Sequence, residues 1–315
     1  MTMSTDILPA VRTCFARLID YAGLFPPAKL GVADAVAEYD EARSASHAWM
    51  LGRFIVPASR LAELAGAIGN RAPFAVSVIV DAVTDALRWF ESARTTLSTI
   101  ADARANTSLR IEALEVPLPV LGSMRETFGA NIGQLAALAE QAGLRNLPIY
   151  AEMPRDQRWR GLLADSMTAL ARARFGAKIR CGGLTAEAFP SPEDVTAFIA
   201  ASTAENVPFK GTAGLHHPVR HFNAPSGFTM HGFLNILAAC ALARRADEAT
   251  LATILAEEDP AAFRFDERGF AWRDLRASVE EIAAMREHGF VAYGSCSFAE
   301  PIDDLTALGI LPKTN

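Results

Sequence analysis

Two short runs decide the fold: Ala177-Lys178-Ile179-Arg180-Cys181-Gly182-Gly183, and Pro208-Phe209-Lys210-Gly211-Thr212-Ala213-Gly214-Leu215-His216-His217. Each carries a lysine within an apolar strand and a glycine four residues later. Residues two apart in a strand point the same way, so Lys178 shares a face with Arg180, and Lys210 with Thr212. An ammonium buried without a partner is expensive. Two lysines on neighbouring core strands therefore need counter-charges, exposure or a chemical use.

Outward from this pair, residues 21–25, 52–57, 74–80, 109–116 and 148–153 read as five preceding strands, and 290–296 as one following strand. The run over 74–80 is apolar enough for a strand buried on both faces. Helical patterns separate the strands: 31–45, 59–68 with Ser59 as a candidate N-cap, 84–104, 123–142 stopped by Gly143, and 157–174. Ser191-Pro192-Glu193-Asp194 supplies an N-cap, an N1 proline and an acidic first turn to the next helix. After the second lysine strand comes a loop rich in His, Pro, Asn and Gly, then a helix over 231–245. Ser297-Phe298-Ala299-Glu300-Pro301 resembles a capping box opening a last helix.

Eight strand and helix units in strict alternation imply a parallel sheet, and eight is the number that closes a (β/α)8 TIM barrel. One domain spanning residues 1–315 is expected, with an N-terminal helix within 1–20 and a helical insertion over 246–289 before the last strand. Phe263, Phe265, Phe270 and Trp272 make that insertion too apolar to stay in water, so it should cover the barrel mouth or another subunit, in a homo-oligomer. An open doubly wound sheet is the alternative, but no G-x-G-x-x-G follows the first strand.

Bulk composition excludes several classes of function. A formal charge of -6 and no run of basic residues interleaved with aromatics argue against nucleic acid. No segment is apolar for long enough to span a membrane, and the first twenty residues lack the pattern of a secretory signal. Cys14, Cys181, Cys240 and Cys296 show no C-x-x-C spacing, which fits reduced thiols and a cytoplasmic location.

Chemistry in such barrels sits at the C-terminal ends of the strands. There the sequence places Asp81, Glu115, Glu152 with Arg155, Lys178 with Arg180, Lys210 with Thr212, His216 and His217 just beyond, and Ser295 with Ser297. Arg53, near the start of its strand, belongs to the opposite end. Glu112 and Glu115 are separated by an odd number, so a regular strand turns only one inward; Glu152 is better placed, because Ile149 and Ala151 take the other face. Asp81 serves equally well as a helix cap. Gly182, Gly183 and Gly214, with the 294–297 stretch, either offer backbone N–H groups to an anion or simply make tight turns.

The two lysine strands resemble those of class I (Schiff-base) aldolases of the deoxyribose-phosphate aldolase type, where Lys-x-x-x-Gly in strand six supplies the imine-forming lysine and a second Lys-x-x-x-Gly follows in strand seven. The resemblance covers about 40 residues and implies that Lys178 is the nucleophile, Lys210 the neighbouring cation that depresses its pKa, and Gly214 with Ser295 part of an anion pocket. Arg180 stands where that family has a small hydroxyl residue, and strand four offers glutamate in place of aspartate.

Three readings follow. The first is a cofactor-free lyase or related carbonyl enzyme that forms a lysine imine with a small anionic oxo-substrate, with Glu152 or Glu115 moving protons and Arg180, Thr212, His216, His217 and Arg155 binding substrate. The second is an enzyme using a divalent metal such as Mg or Mn on Glu115, Glu152, Asp81 and His216. The third is a barrel that binds a metabolite without catalysis.

Overall fold

The computed structural model describes residues 7–69, 71–81, 88–107, 109–119, 125–156 and 158–313. A short helix α1 (Pro9–Phe15) leads into β1 (Ile19–Tyr21), followed by α2 (Val32–Ser44), β2 (Leu51–Pro57), α3 (Leu61–Ile68), β3 (Ala75–Ile79), α4 (Trp89–Asn106), β4 (Arg110–Pro117), α5 (Arg125–Gln141), β5 (Ile149–Glu152), α6 (Trp159–Ala173), β6 (Gly176–Arg180), α7 (Pro192–Glu205) and β7 (Phe209–Thr212). A hairpin, β8 (His221–Asn223) and β9 (Phe228–Met230), precedes α8 (Phe233–Leu242) and α9 (Glu248–Ala256). Then come β10 (Phe263–Asp266), β11 (Gly269–Trp272), β12 (Leu275–Ala277), α10 (Val279–His288), β13 (Phe290–Ser295) and α11 (Ala299–Ala307).

Eight of the strands close into a parallel barrel in the order β1-β13-β7-β6-β5-β4-β3-β2, which is the expected (β/α)8 architecture with β13 as its eighth strand. The outward faces of the strands, including Val76, Val78, Leu114, Val116, Ile149, Ala151, Ala177, Ile179 and Phe209, lie buried in the hydrophobic core. Local signals act as read at α7, where Ser191 Oγ accepts from the Asp194 N–H at 3.2 Å and Asp194 Oδ2 accepts from the Ser191 N–H at 3.0 Å, under Pro192 at N1. Gly143, at φ +69°, stops α5 in the left-handed conformation that glycine adopts freely.

Four expectations need correction. The first strand is Ile19–Tyr21, not 21–25, because residues 22–30 turn back on themselves through Phe25 N–H to Ala22 O and Leu30 N–H to Gly23 O, both 2.9 Å; the N-terminal helix expected within 1–20 is α1, Pro9–Phe15. The shift puts Asp20 in mid-strand. The stretch over 246–289 is not purely helical, since between α9 and α10 it carries the antiparallel sheet β10-β11-β12. Its aromatics do not cover the mouth: Phe265 stacks on Phe270 with centroids 4.3 Å apart and lies 5.5 Å from Phe15 of α1, while β11 packs on α1, α8 and α10. The apolar surface is buried within this chain's own outer layer. Ser297-Glu300 keeps half of its capping box, as Glu300 N–H donates to Ser297 Oγ at 3.1 Å while the Glu300 carboxylate turns to histidines.

Candidate active site

The interior of a barrel of this kind is usually filled by layers of bulky branched side chains. Here one layer is ionic. The register pairs Lys178 with Lys210 and Glu152 with Lys178, so β5, β6 and β7 deliver these groups to one level of the cavity. Lys210 Nζ is 2.6 Å from Asp20 Oδ2, bonds Glu115 Oε1 closely, and donates to Ser77 Oγ at 3.3 Å. Glu115 turns its other oxygen, Oε2, to Lys178 Nζ at 2.8 Å, and Lys178 meets Glu152 Oε2 at 3.0 Å. Glu152 Oε1 accepts from Arg180 Nε at 2.9 Å. The result is an alternating chain, Asp20, Lys210, Glu115, Lys178, Glu152, Arg180, that begins in the fully buried core and ends at a half-exposed guanidinium.

Alternation and burial fix the protonation states. Burial works against each ammonium, but Glu115 and Glu152 more than offset it at Lys178, as do Asp20 and Glu115 at Lys210, so both lysines are held above their ordinary value. Burial likewise pushes the carboxyls up, yet the two lysines hold Glu115 well below the usual range, and Lys178 with Arg180 lower Glu152. This corrects the expectation that one lysine depresses the other: each ammonium sits between two carboxylates, and the shared Glu115 separates them. A free amine at Lys178 requires its proton to move to a neighbouring carboxylate.

Glu112 and Glu115 both find use, because the β3-β4 register shifts between Val76 and Ser77 and the extra residue breaks the parity of the strand. Glu112 lies at the opposite end of the barrel with Arg17, Arg53 and Arg110. Arg53 also approaches Asp20 Oδ2 at 3.8 Å and gives it a backbone N–H at 2.6 Å, linking the end cluster to the central chain. Tyr150 floors that chain: its ring centroid lies 5.7 Å from Lys210 Nζ, and it lines a recess at the starts of β5, β6 and β7 with Arg145, Arg174 and Pro208.

Asp20, Ser77 and Tyr150 were not singled out from the sequence. Asp20 is flanked by Ile19 and Tyr21, an apolar-acid-apolar signature of an inward polar residue, and Ser77 is the one hydroxyl in the apolar run of β3.

Other sequence-predicted residues lie elsewhere. Asp81 accepts from the Ser59 N–H and Oγ at 2.8 and 3.1 Å. Arg155 binds Asp194 at 3.3 Å and the Glu187 carbonyl, holding the loop after β6. His216 Nδ1 meets Glu300 Oε2 at 3.2 Å, and His217 Nδ1 meets Asp304 Oδ2 at 2.6 Å, so both rings are tied to α11. Glu115 and Glu152 thus face lysines while Asp81 and His216 have separate partners; among the described residues no three His, Cys, Asp or Glu side chains gather as a metal site would require.

The glycines serve backbone approach. A Cβ on Gly214 would meet the Cys181 carbonyl at 2.7 Å, and one on Gly182 would meet Gly214 Cα at 2.8 Å; Gly183 lies against Ala188. Ser295 Oγ donates to the Ser297 carbonyl at 2.7 Å, and Ser297 caps α11, so neither hydroxyl faces the lysines. Thr212 stands opposite Arg180 in the sheet register, at the open end.

No protein-family model matches the chain, and neither does any curated protein. Among solved structures, the chain is similar to the tetrameric deoxyribose phosphate aldolase of Aeropyrum pernix over 94% of its length and 93% of that chain, with a TM-score of 0.50 at 12% identity. A TatD homologue of Escherichia coli K12, YjjV, matches over 94% of this chain and 95% of that chain at 16% identity, with a TM-score of 0.37. The likeness is one of fold: a closed barrel of eight parallel strands wrapped by helices.

Proposed function

We propose that the chain is a carbon–carbon lyase of the aldolase kind, or a related carbonyl enzyme, that forms an imine between Lys178 and a small anionic oxo-substrate. The observation that carries this reading is the position of Lys178: it is the last buried ammonium of the ion chain, between the enclosed Lys210 and the partly open Glu152 and Arg180. Lys210 has Asp20, Ser77, Glu115 and Tyr150 around it and acts as a fixed cation.

Lys178 passes one proton to Glu152, and the neutral amine attacks the carbonyl carbon. A proton moves from nitrogen to the former carbonyl oxygen, Glu152 returns its own proton to that hydroxyl, and water leaves. The product is a protonated imine that keeps the positive charge the ammonium held. It draws in the electron pair of the bond between the carbon next to the imine and the hydroxyl-bearing carbon, as a carboxylate removes the proton of that hydroxyl. An enamine and a carbonyl product result. Protonation of the enamine and hydrolysis by one water return Lys178 to its resting state. Glu115 stays ionised between the lysines, stabilising the imine's charge without moving.

The fold likeness to a tetrameric aldolase supports an assembly of several copies, to which Leu184 on the loop after β6 and Phe222 in β8, 89% and 63% exposed, would contribute apolar contact. Four unbridged cysteines support a reducing, cytoplasmic setting. Exchange at the carbon next to the carbonyl tests the chemistry: with simple aldehydes and oxo-acids in D2O, proton NMR should show protein-dependent loss of that C–H signal, abolished in Lys178→Ala. Exchange that persists in Lys178→Ala would refute the assignment.

A further inference from the structure

We infer that the substrate is a 2-oxo acid, its carboxylate held by Arg180 next to the carbonyl that Lys178 attacks; this rests on the imine reading and specifies its substrate. Arg180 closes β6 at the open end with its side chain 51% exposed, and its bond to Glu152 runs through Nε alone. Among the described residues no other bond engages its two terminal nitrogens, which form the planar fork that receives a carboxylate.

Spacing selects the position of the anion. Arg180 Nε and Lys178 Nζ grip the two oxygens of a single carboxylate, Glu152, at 2.9 and 3.0 Å. The two side chains therefore flank a single carboxyl group, close enough for a carbonyl and a directly bonded carboxylate to meet both. A charge several carbons away from the carbonyl would overshoot the guanidinium.

Chemistry selects the kind of anion. A phosphate is usually cradled by glycine backbone and hydroxyls, but here Gly182 and Gly214 are pressed against each other's backbone, and Ser295 and Ser297 are tied into the turn before α11. The ion chain is also neutral at rest, with Asp20, Glu115 and Glu152 balancing Lys210, Lys178 and Arg180. Arg53 adds its charge only at the opposite end, beside Asp20, so at the open end an added negative charge rests on the guanidinium that Glu152 already shares. One such charge, shared with a half-exposed guanidinium in contact with water, is tolerated far better than the nearly two of a phosphate monoester.

The test is borohydride trapping on the full-length protein with three probes, pyruvate, methyl pyruvate and glycolaldehyde phosphate, each titrated to half-maximal labelling of Lys178. Pyruvate should label at concentrations about tenfold or more below its ester, the worth of one charge-assisted bond. The acid-to-ester preference should fall towards one in Arg180→Gln and recover in part in Arg180→Lys. Labelling that favours the ester or the phosphate, or an acid preference that survives Arg180→Gln, would overturn the assignment while leaving the imine in place. Labelling by none of the three would remove the imine reading and this inference with it. Because the acid-to-ester ratio of the unaltered protein is itself decisive, the test does not depend on the variants folding.

Discussion

Replacing Lys210 by Met leaves Asp20 and Glu115, 0% and 1% exposed, without the ammonium that both contact. Among the described residues Asp20 then retains the Arg53 backbone N–H and a guanidinium 3.8 Å away, and Glu115 retains Ser77 and Lys178. Removing one member of a buried ion pair costs about 3–5 kcal/mol, chiefly as the penalty of the charge left behind. With an unfolding entropy of about 2 cal/mol/K per residue, 315 residues give about 0.7 kcal/mol/K, so a loss of ~4 kcal/mol lowers Tm by about 6 °C. Lys178→Met should cost less, because Glu115 keeps Lys210 and Glu152 keeps Arg180. Burial raises the pKa of an orphaned carboxyl, so protonation favours the folded variant and the Lys210→Met penalty should shrink as pH falls. Adding Asp20→Asn should restore about 1–2 kcal/mol relative to Lys210→Met alone. Urea and thermal unfolding followed by circular dichroism measure all three. A Lys210→Met protein within about 1 kcal/mol of the unaltered chain at neutral pH would refute the reasoning, since Asp20 and Glu115 would then not depend on the ammonium.

Glu152→Gln, which keeps the shape but cannot take the Lys178 proton, should slow imine formation by about 10²–10⁴ while far-ultraviolet circular dichroism stays unchanged; an unaltered rate would place the base elsewhere. Gly214→Ala should destabilise by about 1–3 kcal/mol, because φ is +67° and the new methyl meets the Cys181 carbonyl at 2.7 Å; a neutral result in chemical denaturation would show that the two loops are not tightly apposed. In the unaltered protein, the raised lysines contribute stability that is fully present below about pH 10.4 and lost as pH rises through their higher folded values, while the lowered Glu115 and Glu152 contribute above about pH 4.3 and lose it as pH falls through theirs. Unfolding free energy should therefore be level between about pH 5 and 10 as far as these groups govern it, and a steep slope across neutrality would contradict their protonation states.

The barrel was legible because each strand is a short apolar run with a polar end and each connection has helical periodicity, patterns that local burial dictates. Lys178 and Lys210 were legible as cavity partners because both stand four residues before a glycine, and Glu152 because Ile149 and Ala151 fix its face. Asp20 was missed because the first strand has three residues and little pattern to fix its boundary. Parity misled at Glu112 and Glu115 because a register shift belongs to the pairing of two strands, not to either alone. The uses of Gly182, Gly214, Ser295 and Ser297 depend on how close two loops come, and the aromatics of β10 and β11 on where α1 packs. None of these distances is encoded locally.

The most direct test of the central claim is reduction with borohydride in the presence of small aldehydes and 2-oxo acids, followed by peptide mass mapping. A stable adduct on the peptide that carries Lys178, absent in Lys178→Ala and retained in Lys210→Met wherever that variant folds, is the predicted result; an adduct on Lys210, or none with any carbonyl compound the protein turns over, would contradict it.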